Sequence, residues 1–168
     1  MANEYPIPSF HFSVDFLEVK GAGSAPLDCR FSKVSGLGVR NQINKKLEAG
    51  TPYKRPFPEE GREYGNVTLE RGFTAKSDLI TWFNGASYDD PIKPVPVLIS
   101  LLSEKHKPVI SWLLYEAYLE SWTFGGFDAM QSNYLLETIV LSYSHYKEIM
   151  NDDGSSLDQL KNIANNSL

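Results

Sequence analysis

Tyr64-Gly-Asn-Val-Thr-Leu-Glu-Arg-Gly-Phe73 decides the fold class. Val67, Leu69, Arg71 and Phe73 alternate with Asn66, Thr68, Glu70 and Gly72, the period of a half-buried β-strand. Just downstream, Ser77 can cap a short helix, with Asp78 placed to favour its dipole. Leu79 and Phe83 lie one turn apart, Ile80 and Trp82 flank them, and Gly85 suits the stop. Upstream, Phe10, Phe12, Val14 and Phe16 alternate with polar residues as a first strand, and 21–26 breaks it as a turn. Cys29–Val34 and Leu37–Ile43 read as two more strands, divided by Ser35-Gly36 where a hairpin or bulge fits.

Beyond the helix, Val95–Leu102, Val109–Phe124 and Asn133–Tyr146 read as strands. In the long middle one, Trp112, Leu114, Tyr118 and Trp122 share a parity with Glu116 and Glu120, so that face is not one uniform dry core. The class is mainly β: a β-barrel or sandwich of antiparallel strands with one short flanking α-helix and a long inter-strand loop.

The 168 residues bury about 70% of their surface on folding, enough for one core. No apolar run approaches the roughly 20 residues of a membrane helix, and the first residues lack a signal peptide's pattern. Cytoplasmic assembly is the expectation. A net charge of −5 argues against nucleic-acid binding. That charge is unevenly spread, near +1 over 1–75 and near −6 over 76–168. It suits either two differing solvated faces or a self-complementary particle with head-to-tail contacts.

No catalytic, cofactor or metal site emerges. His11, His106 and His145 form no close ligand pair in sequence, and one cysteine, Cys29, reads as a small buried hydrophobe. Gly21-Ala-Gly23 lacks the third glycine of a dinucleotide fingerprint, and Asn151-Asp-Asp-Gly154 lacks the alternation of a calcium loop. Asp89-Asp90 and Asp152-Asp153 lie in turn-like stretches, where paired carboxylates are ordinarily solvated. Two alternatives stay open. Trp112, Tyr118 and Trp122 would line a small-molecule pocket in a ligand-binding barrel, and His145 with Glu137 would serve a dispersed active site.

Residues 44–64 stand apart, with three prolines, two glycines and nine charges. A loop this long inside a compact domain is usually functional or disordered, and its aromatics argue against disorder. It reads as a loop that docks on a neighbour through Lys45, Lys46, Tyr53, Lys54, Arg55, Phe57, Glu59, Glu60, Arg62 and Tyr64. The tail after Met150 carries Leu157, Leu160 and Ile163, the makings of a short amphipathic helix.

Several segments, in order, resemble the tail-tube proteins of contractile phages and phage-like bacterial injection systems, the Hcp-like tube fold. Tyr5-Pro-Ile-Pro-Ser-Phe-His-Phe12 looks like the family's proline-aromatic lead, and Phe31-Ser-Lys-Val-Ser-Gly-Leu37 resembles its F-x-x-V-S-G-L segment. Tyr64–Phe73, followed by Trp82-Phe-Asn84, is the most specific match. Trp112–Trp122 and Glu137-Thr-Ile-Val-Leu141 resemble the two closing strands. The resemblance implies a tube domain over 1–146, with 44–64 bridging neighbours, and a C-terminal extension over 147–168. It further implies hexameric rings stacked into a hollow tube, sheath and baseplate partners, and a lumen able to carry cargo. The subunit would end in a phage tail or an extracellular or cell-anchored particle. The extension and the proline-rich loop would suit a specialised position, such as a tube initiator at the baseplate.

Overall fold

The computed structural model describes residues 11–19, 31–47, 49–50, 52–75, 77–88, 93–130, 133–150, 159 and 162. Among them run β1 (Phe12–Phe16), β2 (Lys33–Ser35), β3 (Val39–Leu47), β4 (Lys54–Tyr64), β5 (Val67–Gly72), α1 (Asp78–Tyr88), β6 (Val95–Leu102), β7 (Pro108–Phe124), β8 (Leu136–Ser142) and β9 (His145–Met150). One antiparallel sheet holds seven strands in the order β1-β6-β7-β8-β5-β2, with β9 also paired to β7, while β3 and β4 form a separate two-stranded sheet. Of the strand expected at Cys29–Val34, Phe31 and Ser32 lie outside β2, which runs Lys33–Ser35; Cys29 lies outside the described residues, as do the 21–26 turn and both aspartate pairs.

β7 organises the body. At 17 residues it outruns each single partner: its first half lies between β6 and β9, and its second half pairs with β8. Between those halves Glu116 takes φ 50°, and three residues of β7 oppose two of β6. A second register shift follows at Leu119/Ser121. Such bulges bend a strand and strengthen its twist, so the sheet folds over as a sandwich around a main core, while Leu98 and Leu113 are buried in a second, smaller cluster. They also break the single parity expected of this strand. Trp112, Leu114 and Trp122 face the core, whereas Tyr118, Glu116 and Glu120 are exposed.

The core joins Val14 and Phe16 of β1, Val97 and Ile99 of β6, Leu114 and Ala117 of β7, Val67 and Leu69 of β5, and Ile139 and Leu141 of β8. From α1 come Leu79 and Phe83, each contributing about 1.5–3 kcal/mol by burial. The Ser77 carbonyl accepts the Ile80 N–H at the helix start. The helix passes Gly85, its expected stop, and ends at Tyr88. An internal glycine costs only about 1 kcal/mol, less than the burial of Phe83 alone returns.

An ion pair sits inside this apolar shell. Register places Arg71 of β5 opposite Glu137 of β8, and their side chains are 1% and 0% exposed. Arg71 Nε donates to Glu137 Oε1, its Nη2 donates to Ser77 Oγ at 2.9 Å, and Trp122 Nε1 donates to Glu137 Oε2 at 2.9 Å. The guanidinium also lies 5.4 Å from the Phe31 ring centre. One pair thus ties two strands, the entry to α1 and the end of β7 together.

The strand expected over Asn133–Tyr146 divides at Tyr143-Ser144. β8 serves β5 and β7, then the chain turns and β9 pairs with the other half of β7, the Ser144 N–H donating to the Tyr115 carbonyl. The expected boundary between 146 and 147 falls inside β9. The helix expected in the tail lies outside the described residues apart from Gln159 and Asn162, which are helical.

Candidate subunit interface

The stretch 44–64 is a β-hairpin arm rather than a loop without regular structure. β3 and β4 pair antiparallel from Val39↔Tyr64 out to Leu47↔Lys54, with extra residues of β4 bulging opposite Asn41–Ile43. Pro56 and Pro58 are tolerated because a two-stranded ribbon is all edge, where a missing N–H costs little. Opposed residues share a face. One face therefore carries Val39, Ile43 and Leu47 with Lys45, Lys54 and Arg62, and the other carries Arg40, Asn44, Lys46, Arg55, Phe57 and Glu63. Every residue of β3 is exposed, including its three large apolar ones.

The ten residues expected at an interface separate into two groups. Lys45, Lys46, Tyr53, Lys54, Arg55, Phe57 and Arg62 are exposed along the arm. Glu59 and Glu60 lie in β4, and their side chains fall outside the described set. Tyr64 is different: half-buried at the root, its ring lies 6.0 Å from Tyr143 and 5.4 Å from Tyr146. It fixes the arm to the body.

The root is tightly specified. Gly36 has φ +85°, and a Cβ there would overlap the Asn66 carbonyl oxygen. Gly36→Ala is expected to lose more than the roughly 1–3 kcal/mol of backbone strain alone, seen as a lower denaturation midpoint. An unchanged midpoint would contradict this geometry.

Tyr143 is buried nearby, its hydroxyl donating to the Gly38 carbonyl at 3.5 Å. Burial, with Tyr146 and Tyr64 adding to it, pushes that hydroxyl above its ordinary 10.0. The folded protein holds the proton more tightly than the unfolded chain. This contribution to stability is therefore complete below pH 10 and lost as pH rises through the raised value. Tyr143→Phe should flatten that alkaline loss in pH-dependent urea titrations; an unaltered alkaline limb would refute it.

A second exposed apolar surface escaped the sequence reading. The ends of β5, β7 and β8 meet where Phe73 N–H donates to the Leu135 carbonyl and Gly125 N–H to the Leu136 carbonyl, both at 2.8 Å. Phe73, Phe124 and Leu136 are exposed there, and Phe127, Met130 and Tyr134 are 85%, 93% and 94% exposed. The signal was Phe124-Gly-Gly-Phe127, aromatics flanking a turn.

The other candidates separate in space. Glu137 is engaged with Arg71 and Trp122, whereas His145 stacks on Tyr115 with ring centres 4.5 Å apart, so they form no shared site. His11 and His106 do meet, edge to face at 4.5 Å, but no group of three or more His, Cys, Asp or Glu among the described residues is arranged to hold a metal. Two open cavities of about 310 and 320 Å³ lie at the arm root and beside Tyr134, and neither is lined by Trp112, Tyr118 or Trp122. Among the described residues no helix is long and apolar enough to cross a membrane.

Comparison with known proteins places this architecture. The profile of the family described as T4-like virus tail tube protein gp19 matches residues 8–147. A chain in the cryo-EM structure of the anti-feeding prophage baseplate is 27% identical, with a TM-score of 0.77 over 88% of this chain and 98% of that one. A chain of the anti-feeding prophage cap is 25% identical, with a TM-score of 0.73 over 90% and 95%. A chain in the sheath–tube complex of the extracellular contractile injection system PVC shares the fold at 24% identity, with a TM-score of 0.71 over 88% and 94%. A search of curated proteins returns no match.

Proposed function

The chain belongs to the T4-like virus tail tube protein family, and we propose on that premise that its copies close into hexameric rings that stack into a hollow tube. It is a structural tail-tube subunit of a contractile injection system, part of a phage tail or an extracellular injection particle. The observation that carries this is the extent of the family match, which starts before β1, takes in β1 to β8 and the arm, and runs into the first half of β9. In the proposed assembly a surrounding sheath contracts and drives the tube forward, with a baseplate at its tip and cargo able to pass through the lumen. We take the tube domain past the expected boundary at 146 to 150, so that β9 is whole, with 151–168 as an extension added to it.

The arm supplies the contact between copies. A two-stranded ribbon is marginal in water by itself, and one with exposed valine, isoleucine, leucine and phenylalanine gains most by being covered. The cations among them keep the uncovered arm soluble and bias its choice of neighbour.

A second reading, in which the chain begins or ends the tube, draws on the similarity to chains of a baseplate and of a cap assembly. Negative-stain electron microscopy with light scattering tests both. Six-membered rings that stack support the bulk tube, and rings that refuse to stack support a terminal position. A strictly monomeric particle at high concentration would count against self-assembly.

A further inference from the structure

We propose that the surface formed by Phe73, Phe124, Phe127, Met130, Tyr134 and Leu136 receives the β3–β4 arm of a second copy. This rests on the reading of the arm as the contact between copies, and it names the surface the arm meets.

The surface is built in advance of binding. A chain of aromatic contacts runs outward from the core: Trp82 to Phe83 at 5.3 Å between ring centres, Phe83 to Trp122 at 5.1 Å, Trp122 to Phe124 at 4.9 Å, and Phe124 to Phe73 at 5.5 Å. Two backbone hydrogen bonds join the three strand ends, and Asp128 Oδ1 accepts the Met130 N–H at 2.9 Å to order the turn. Phe73, Phe124 and Leu136 therefore sit on a packed base, and Phe127, Met130 and Tyr134 project beside it. Rigidity lowers the entropy cost of docking. Large exposed aromatics on a fixed base have the composition of an interface hot spot.

Chemistry selects the occupant. Residues 124–136 contain one acid, Asp128, and no lysine or arginine. Aromatic faces carry negative potential, so they favour a partner that is both apolar and cationic. The arm is that partner: residues 40–64 carry six cations and four acids, and one face interleaves Val39, Ile43 and Leu47 with Lys45 and Lys54. Within one chain the two surfaces stay apart, since β3 is exposed along its whole length and Phe127 and Tyr134 are almost wholly so. A second copy brings them together. Two different patches on identical chains make a head-to-tail contact, which generates rings or stacks.

The test is charge placement with compensation in the full-length chain, read by sedimentation velocity and electron microscopy. Phe127→Lys with Tyr134→Lys sets cations against cations and should weaken self-association about thirty-fold or more, the size of a lost hot spot. Ile43→Glu with Leu47→Glu on the arm should weaken it similarly. Mixing the two double variants should restore association between unlike copies. Circular dichroism checks folding, and Phe127→Ser with Tyr134→Ser serves if the lysine variant unfolds. If arm variants abolish assembly while surface variants leave it unchanged, the proposed surface is wrong and the arm reading stands. If neither changes assembly, the arm reading falls as well. Failure of the mixture to recover would also overturn the pairing.

Discussion

Glu137→Ala should cost about 3–5 kcal/mol, the loss typical of removing one partner from a buried ion pair. Arg71 is 1% exposed, so its charge would remain inside the body without its carboxylate, and the Trp122 N–H would lose its acceptor as well. Against a total stability of about 5–15 kcal/mol, that loss leaves a protein near its folding limit. Urea denaturation should show a large drop in midpoint. The informative companion is Arg71→Met with Glu137→Leu, which removes both charges and fills much of the space. Replacing a buried pair by apolar residues is often neutral or stabilising, so the double variant should be far more stable than the single. A single variant within about 1 kcal/mol of the parent would show that water reaches the pair. A double variant as damaged as the single would mean that the charges do more than cancel one another.

Removal of the outer arm, residues 46–60, should have the opposite profile. The body should keep its sheet, because β3 and β4 form their own two-stranded sheet and, among the described residues, no core residue comes from that segment. Self-association should fall to the level of an unassembled subunit. Far-UV circular dichroism and sedimentation separate the two effects. Loss of fold together with assembly would place the arm in the structural core; retained assembly would remove it from the interface.

These two regions also show what the sequence could and could not reveal. Strands with one buried face announced themselves: Val67 and Leu69 alternate with polar neighbours because one side meets the core, and β5 lies where that alternation put it. Of the arm, only the root of β3 was legible, within the strand expected over Leu37–Ile43. Both of its faces are exposed, so nothing forces a period of two. Its prolines, charges and Gly61 are the usual marks of a loop, and a ribbon without a central strand tolerates all of them. β7 misled in a subtler way. Its length was legible, but two bulges swap which residues look inward, and Glu116 at φ 50° carries no local mark of that turn. The buried pair was half legible. Arg71 stands among the inward residues of its own strand, yet only register with β8 shows that Glu137 faces it.

Of the proposed interface, the arm was found by composition and the receiving surface was not. Phe73, Phe124 and Tyr134 come from separate strand ends or turns, and hydrogen bonds between those ends make them one surface. Short-range patterns do not carry that kind of information.

The pairing of β1 with β6 has a consequence for synthesis. Phe12 faces Leu101, 89 positions along the chain. At about 5–20 residues per second, β1 waits roughly 4–18 s for its partner to be translated. Its apolar side chains spend that interval without the neighbours that will cover them, the condition under which nascent β-proteins stick to chaperones or to one another. The arm is spared the delay, because its two strands lie side by side in the message. The limb that reaches for another copy is made from neighbours, while the body that carries it must wait for the far end of its own chain.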